Sequence, residues 1–500
     1  MAAAGLAACR PLGFAGRAST GCPVPGARLG RGRRPALACT AAVADVQEAP
    51  TDVSLDADLR GLAAAACPRP QEKAQRHRLL QTIEAAARGA LGRDVRVFAF
   101  GGCVDGCGEG GEEMDAVLYV PVTASRAAGS AFGSRRLAGR CLREVAAACR
   151  ERGLYLGNAR KRRGSSTIRL EEHARVQAGD RWQTCLLRAC ELHCQELLPL
   201  LSSRLLRGYA ELEGHVRTLA IAVKRWSQAA GISGATHDGF LSPFAWTLLV
   251  IYYLQVRHGL PSLHALAPGR PAGPGRWPSQ PGYCDVAFAS AAEADRQLEP
   301  SVEGGREALS AAVLFRGFFA FFGYAFDWDA EVASVRLGRR SDLGSRHFAA
   351  LRASASGRAV GINIENPIAV SRNLNSPLND TRACEMREAF RRADARLAAG
   401  EGLGELLAAP GGELPCLELA GGLGLQEGFL RLPDFVDDTS PCVCDVCGRR
   451  FEGRLLLMQH QVDRGHLNSD SAAELERLRT GDAAAVAEAA DRLRAALSGG

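Results

Sequence analysis

The sequence predicts an α/β domain followed by a mainly helical one, with a small ββα module near the C-terminus. Three observations carry this prediction. Residues 98–120, "FAFGGCVDGCGEGGEEMDAVLYV", read as strand, glycine-rich turn and aliphatic strand, with amphipathic helical patterns on either side. From about Leu197 the apolar spacing becomes mainly helical. Two cysteines and two histidines then fall at Cys444-x2-Cys447-x12-His460-x5-His466.

A chain of 500 residues exceeds one ordinary core, so two or more domains are expected. Its 47% hydrophobic and 23% charged residues match a soluble globular composition. With no run of about 18 apolar residues, a membrane is not among the expected partners. The formal charge of +6 is carried entirely by Arg10, Arg17, Arg28, Arg31, Arg33 and Arg34, since no acid precedes Asp45. Polyanion binding therefore has to come from local patches such as Arg160-Lys161-Arg162-Arg163, which a solvated loop explains equally well. Residues 1–44, rich in Ala, Gly and Arg, read as a disordered transit peptide for the plastid, with the mitochondrion as alternative. The scattered cysteines fit a reducing compartment.

In chain order, a helix is expected over Arg78–Leu91, closed by Gly92, then the strand–turn–strand at 95–120 and a helix over Arg135–Gly153. A short strand is expected at Thr184–Leu192, and a Pro/Gly-rich surface loop between His264 and Tyr283. This divides the chain into an α/β domain (70–200), a helical domain (201–398), a linker (399–440), the ββα module (441–468) and a C-terminal helix (469–500).

Glu113 and Asp115 stand two apart where the second strand begins. Strand alternation sends such positions to one face, and two adjacent carboxylates repel unless a cation lies between them. A divalent metal is the sharp reading; a solvated acidic rim is the bland one.

The stretch "FGGCVDGCGEGGEEMDAVL" resembles the polymerase-beta-type nucleotidyltransferase signature, a Gly-Ser turn followed by Asp-x-Asp on the next strand. "LSSRLLRGYAELEGHVRTLAIAVKRWSQAAGI" (201–232), "GFLSPFAWTLLVIYYLQ" (239–255), "LFRGFFAFFGYAFDWDAEVASVRLGR" (314–339) and "INIENPIAVSRNLN" (362–375) are similar, in the same order, to blocks of terminal uridylyltransferases and related poly(A) polymerases. The resemblance implies an α/β nucleotidyltransferase domain with a mixed sheet and helices, plus a mainly helical poly(A)-polymerase-associated domain. It also implies addition of UMP or AMP from nucleoside triphosphates to RNA 3′ ends, with Mg2+ or Mn2+ in a two-metal mechanism. Three carboxylates then hold the metals: Glu113, Asp115 and Glu191.

Other positions follow from the same resemblance. Gly101 and Gly102 cradle phosphate through their backbone N–H groups, Gly102 replacing the turn serine. Lys224 grips the triphosphate; it is one of three lysines among 61 basic residues, which points to a wanted ammonium. Gln228 stands where the family has a second lysine. Ser202 and Ser203 lie near the ribose, Ser242 and Phe244 at the sugar and base, and Arg372 where uridine-specific members carry a histidine. Two aspartates of the family triad are glutamates here, so a catalytically degenerate RNA- or nucleotide-binding scaffold is the alternative reading.

The Cys444, Cys447, His460 and His466 spacing, with Phe451 and Leu457 as apolar positions, is that of a ββα zinc finger with a closed structural zinc. Such a module is expected to fold independently and to add an RNA or protein contact.

Overall fold

In a computed structural model, the residues described are 50–121, 135–157, 167–178, 181–234, 239–267, 275–276, 283–298, 309–353, 361–408 and 429–466. The transit-peptide segment, the Arg160–Arg163 patch, most of the Pro/Gly-rich loop and the C-terminal helix lie outside them. Two helices, α1 (Pro50–Ala65) and α2 (Pro70–Leu91), lead into β1 (Arg96–Phe100). Gly92 closes α2, as the sequence predicts, but Pro70 opens it eight residues before the expected Arg78. The glycine turn connects β1 to β2 (Met114–Tyr119), α3 (Arg135–Arg150) follows, and then β3 (Leu154–Leu156).

The remaining strands, β4 (Thr167–Ala178) and β5 (Arg181–Cys194), are long and antiparallel. β5 outruns the expected Thr184–Leu192, and β4 is a strand outside the expected ones, although Ile168, Leu170, Ala174 and Val176 alternate along it, interrupted at Glu172. Pairing along the neighbour, not burial of a hydrophobic face, holds this outer part together. The sheet order is β1-β2-β5-β4-β3, and β2 and β5 run parallel. It is therefore a mixed sheet with helices, as expected.

The second half is helical: α4 (Leu198–Leu212), α5 (Gly214–Ala229), α6 (Pro243–His258), α7 (Ala311–Ala320) and α8 (Asp380–Ala398). Its centre is aromatic, with Trp226 edge-on to Phe319 at 4.7 Å and Phe390 stacked among Trp226, Phe318 and Phe322. α1 joins this half, not the α/β half. Its Leu55, Leu59 and Leu62 are buried, Asp56 accepts the Ala311 N–H at 2.6 Å, and Arg217 donates to the Ala63 carbonyl at 3.1 Å.

The C-terminal module is a hairpin, β6 (Pro441–Val443) and β7 (Arg450–Glu452), followed by α9 (Arg454–Arg464). Phe451, Leu455 and Leu456 are buried, and the expected Leu457 is only half-buried. The module does not stand apart from the α/β domain. α9 lies on the end of β5, where the Leu197 N–H donates to Gln459 Oε1 at 2.8 Å and Gln459 Nε2 donates to the Gln195 carbonyl at 3.2 Å. Residues 48–500 form a single unit.

Candidate functional site

Register across the sheet builds the site. Phe100 pairs with Asp115, Asp115 with Glu191, and Glu191 with Arg169, so these four side chains share one row on one face. His193, two residues beyond Glu191, lies on the same face and rests edge-on against Phe100 at 5.2 Å. Asp115, Glu191 and His193 each offer a ligand atom, all within 4.8 Å of one another.

Glu113, the first acid of the expected triad, lies outside this group of three. It precedes the first paired residue of β2, and its carboxylate lies 3.2 Å from Arg169 Nη1. Arg169 in turn is held by Glu171 at 2.9 Å. His193 was the residue missed. Its signal is present in "CELHC", where alternation puts the imidazole beside Glu191, but the resemblance drew attention only to the acid.

The glycine turn runs under the row. Gly101 has φ +72, a left-handed conformation, and a Cβ there would meet Asp115 Oδ2 at 3.1 Å. Its N–H donates to Ser203 Oγ at 2.8 Å, so it is engaged within the protein and not held out for phosphate. Ser203 is buried and holds the turn, which corrects its expected place near the ribose; Ser202 beside it is half-buried. A Cβ at Gly102 would meet Glu112 Oε2 at 2.5 Å. The space of the family's turn serine is thus taken by a carboxylate of the same loop.

That loop, 105–112, is pinned from three sides. Arg76 donates to the Glu109 and Glu112 carbonyls at 3.1 Å, Arg217 to the Gly106 carbonyl at 2.6 Å, and Arg225 to Glu109 at 2.6 Å. Lys224, on α5, is buried: its Nζ donates to the Cys107 carbonyl at 2.8 Å and stands 3.6 Å from Glu112 and 4.0 Å from Glu109. The lysine expected to grip triphosphate therefore grips the loop beneath the turn. Burial pushes the Cys103 and Cys107 thiols up to about 12 and raises the Asp105 carboxyl above the usual range.

The positions assigned to base and sugar are more dispersed. Ser242 caps α6, accepting the Ala245 N–H at 3.3 Å, and Phe244 is half-buried against the core. Gln228 and Arg372 are exposed.

At the C-terminus Cys444, Cys447, His460 and His466 form a second group within 4.8 Å. Cys444 Sγ is 3.3 Å from His466 Nδ1, Cys447 Sγ 3.4 Å from His460 Nε2, and the two imidazole nitrogens are 3.1 Å apart. A tetrahedral zinc with ordinary bond lengths needs ligand separations of about 3.3–3.8 Å; the two Cys–His distances come to about that range and the two imidazole nitrogens stand slightly closer, a donor set suited to zinc. Cys442 stays outside, donating to the Gly453 carbonyl at 3.3 Å.

A mixed sheet with facing acids on adjacent parallel strands, followed by a helical domain, is the polymerase-beta-type nucleotidyltransferase architecture. In particular it is the fold of Cid1. Cid1 in complex with its short product ApU matches with a TM-score of 0.54 at 17% identity, covering 72% of this chain and 99% of that one. A cytoplasmic RNA terminal U-transferase matches with a TM-score of 0.53 at 19% identity, covering 71% and 99%. In sequence the chain is 28% identical over 223 residues to poly(A) RNA polymerase cid13 of Schizosaccharomyces pombe, covering 43% of this chain and 35% of that one. It is 31% identical over 157 residues to poly(A) RNA polymerase GLD2-A of Xenopus laevis, covering 30% and 28%. It is 31% identical over 204 residues to the human Speckle targeted PIP5K1A-regulated poly(A) polymerase, covering 39% and 21%. The chain spans about a third or less of the length of these curated relatives. No family model matches. The relatives are the group that the sequence blocks resemble.

Proposed function

We propose that this chain is a template-independent RNA 3′-terminal nucleotidyltransferase, adding UMP or AMP from nucleoside triphosphates. The observation that carries the reading is the pairing of Asp115 with Glu191 on parallel neighbours, above the Gly101–Gly102 turn. Divalent Mg2+ or Mn2+ held there would activate the RNA 3′-hydroxyl and neutralise charge growing on the departing pyrophosphate. Cid1 has been captured with MgGTP and with a UTP analogue, which supports a metal–nucleotide site in this fold. The chain's own residues would do the rest. Asp115 and Glu191 hold the metals against the sheet, phosphate enters beside Gly102 once the Glu112 carboxylate moves aside, and Phe244 stacks on the base. The C-terminal cluster would hold a structural zinc, and a plastid address belongs to the same reading, with a mitochondrial one as alternative.

A second reading, a nucleotide-binding scaffold without turnover, is favoured by the Glu113–Arg169 pair and by Glu112 lying against Gly102. One assay separates the two: purified protein, labelled RNA and each triphosphate singly, with magnesium or manganese. Extension by UTP or ATP supports the polymerase; no extension under any combination removes it.

A further inference from the structure

The triad expected from sequence has Glu113 on one side of the Asp115–Glu191 pair, and the structure places an imidazole on the other side, where His193 is level with Val117. Glu113 sits outside β2 and is paired with Arg169, so bringing it to the metal would break that pair and leave Arg169 beside Glu191. His193 needs no such movement. Its position two beyond Glu191 fixes it on the same face, Phe100 supports the ring, and Nε2 is 3.7 Å from Glu191 Oε1. The side chain is only 13% exposed, so few rotamers are open to it. A simple His–Glu ion pair would explain the contact with Glu191 but not the joint approach of both to Asp115 within 4.8 Å.

We infer that the metal-binding set of this site is Asp115, Glu191 and His193, and that the imidazole turns its preference from magnesium to manganese. Mn2+ shares the preference of Mg2+ for oxygen donors but accepts one imidazole and irregular geometry more readily, because Mg2+ dehydrates reluctantly and demands near-ideal octahedral coordination. The inference rests on the metal–nucleotide reading of the site, but its test does not depend on turnover.

The probe is Mn2+ alone, added to the full chain and read by electron paramagnetic resonance for nitrogen coupling, with affinity measured by titration. Wild type should show nitrogen coupling, and His193→Ala should lose it together with roughly ten-fold or more in Mn2+ affinity, while Mg2+ affinity changes less. His193→Asp should restore binding of both ions without nitrogen coupling. Absence of nitrogen coupling in wild type, or its persistence in His193→Ala, overturns the inference. The C-terminal imidazoles are kept out of the reading by loading that cluster with zinc first, and His193→Asp carries the test if His193→Ala fails to fold. Manganese bound through nitrogen without RNA extension sinks the polymerase reading and leaves this site standing. Extension without nitrogen coupling does the reverse.

Discussion

Gln459 and Leu197 are joined by a buried hydrogen bond, the Leu197 N–H donating to Gln459 Oε1 at 2.8 Å. The same amide side chain donates to the carbonyl of Gln195, a non-glycine residue held at φ +65. Gln195 in turn clamps β2, its side chain exchanging hydrogen bonds with the Val120 backbone at 3.0 and 2.6 Å. The C-terminal module thus fixes the ends of the two strands that carry Asp115 and Glu191. Gln459→Ala should orphan a buried backbone donor, a cost of about 1–3 kcal/mol. Hydrogen exchange should report it as faster exchange at 191–197, and removing 441–500 should weaken triphosphate binding as well as RNA binding. Unchanged protection and triphosphate affinity in the truncated chain would mean the contact carries nothing to the site.

Asp115→Asn keeps the shape of the side chain and removes its charge. If metal-assisted transfer occurs here, extension should fall on the order of a thousand-fold while the thermal melt stays near wild type. A rate within a few-fold of wild type would show that the acids facing each other across β2 and β5 are not the reacting centre.

Glu112 competes with phosphate for the ground beside Gly102 and Lys224. Glu112→Gln should lower the triphosphate KM roughly two- to five-fold, the scale of one partly exposed charge pair. Lys224→Arg should instead destabilise the protein, because a planar fork replaces an ammonium seated among the Cys107 carbonyl and two acids. A melt unchanged by Lys224→Arg would return the lysine to the triphosphate.

Asp105 is buried beside the turn, and burial raises its carboxyl above the usual range. The folded state therefore holds that proton more tightly than the unfolded chain, so this group costs stability as pH rises through and above the unfolded carboxylate range. Asp105→Asn can still accept the Cys107 N–H now bound at 2.8 Å and carries no charge. Its melting temperature relative to wild type should rise between about pH 4 and pH 7. A difference that shrinks with pH would contradict the burial argument.

In the block "INIEN", Glu365 is buried and meets Arg336 through two hydrogen bonds, at 2.6 and 3.2 Å. Glu365→Ala leaves that guanidinium buried with Asp285, 3.7 Å away, as its remaining acid. A loss of about 3–5 kcal/mol is expected from denaturant unfolding. A loss below about 1 kcal/mol would show that Asp285 takes over the pairing.

The sequence by itself determined the order of elements, the acids at 115 and 191, and the four C-terminal ligands. The elements and the Cys and His ligands are written locally, as helical or alternating apolar spacing or as fixed spacing, whereas the acids at 115 and 191 follow from the resemblance of the ordered blocks. β4 carries only an interrupted signal: Ile168, Leu170, Ala174 and Val176 alternate along it, but Glu172 breaks the series. Only the tertiary structure decided that Glu113 turns to Arg169 while His193 joins Asp115, since register across three strands chooses which side chains meet. It also decided that Lys224 and Ser203 hold the turn from beneath, and that α9 closes on β5 from more than 260 residues away. A contact of that separation leaves no local mark, because neither Gln459 nor Leu197 differs in type from any other glutamine or leucine until the chain brings them together and buries both.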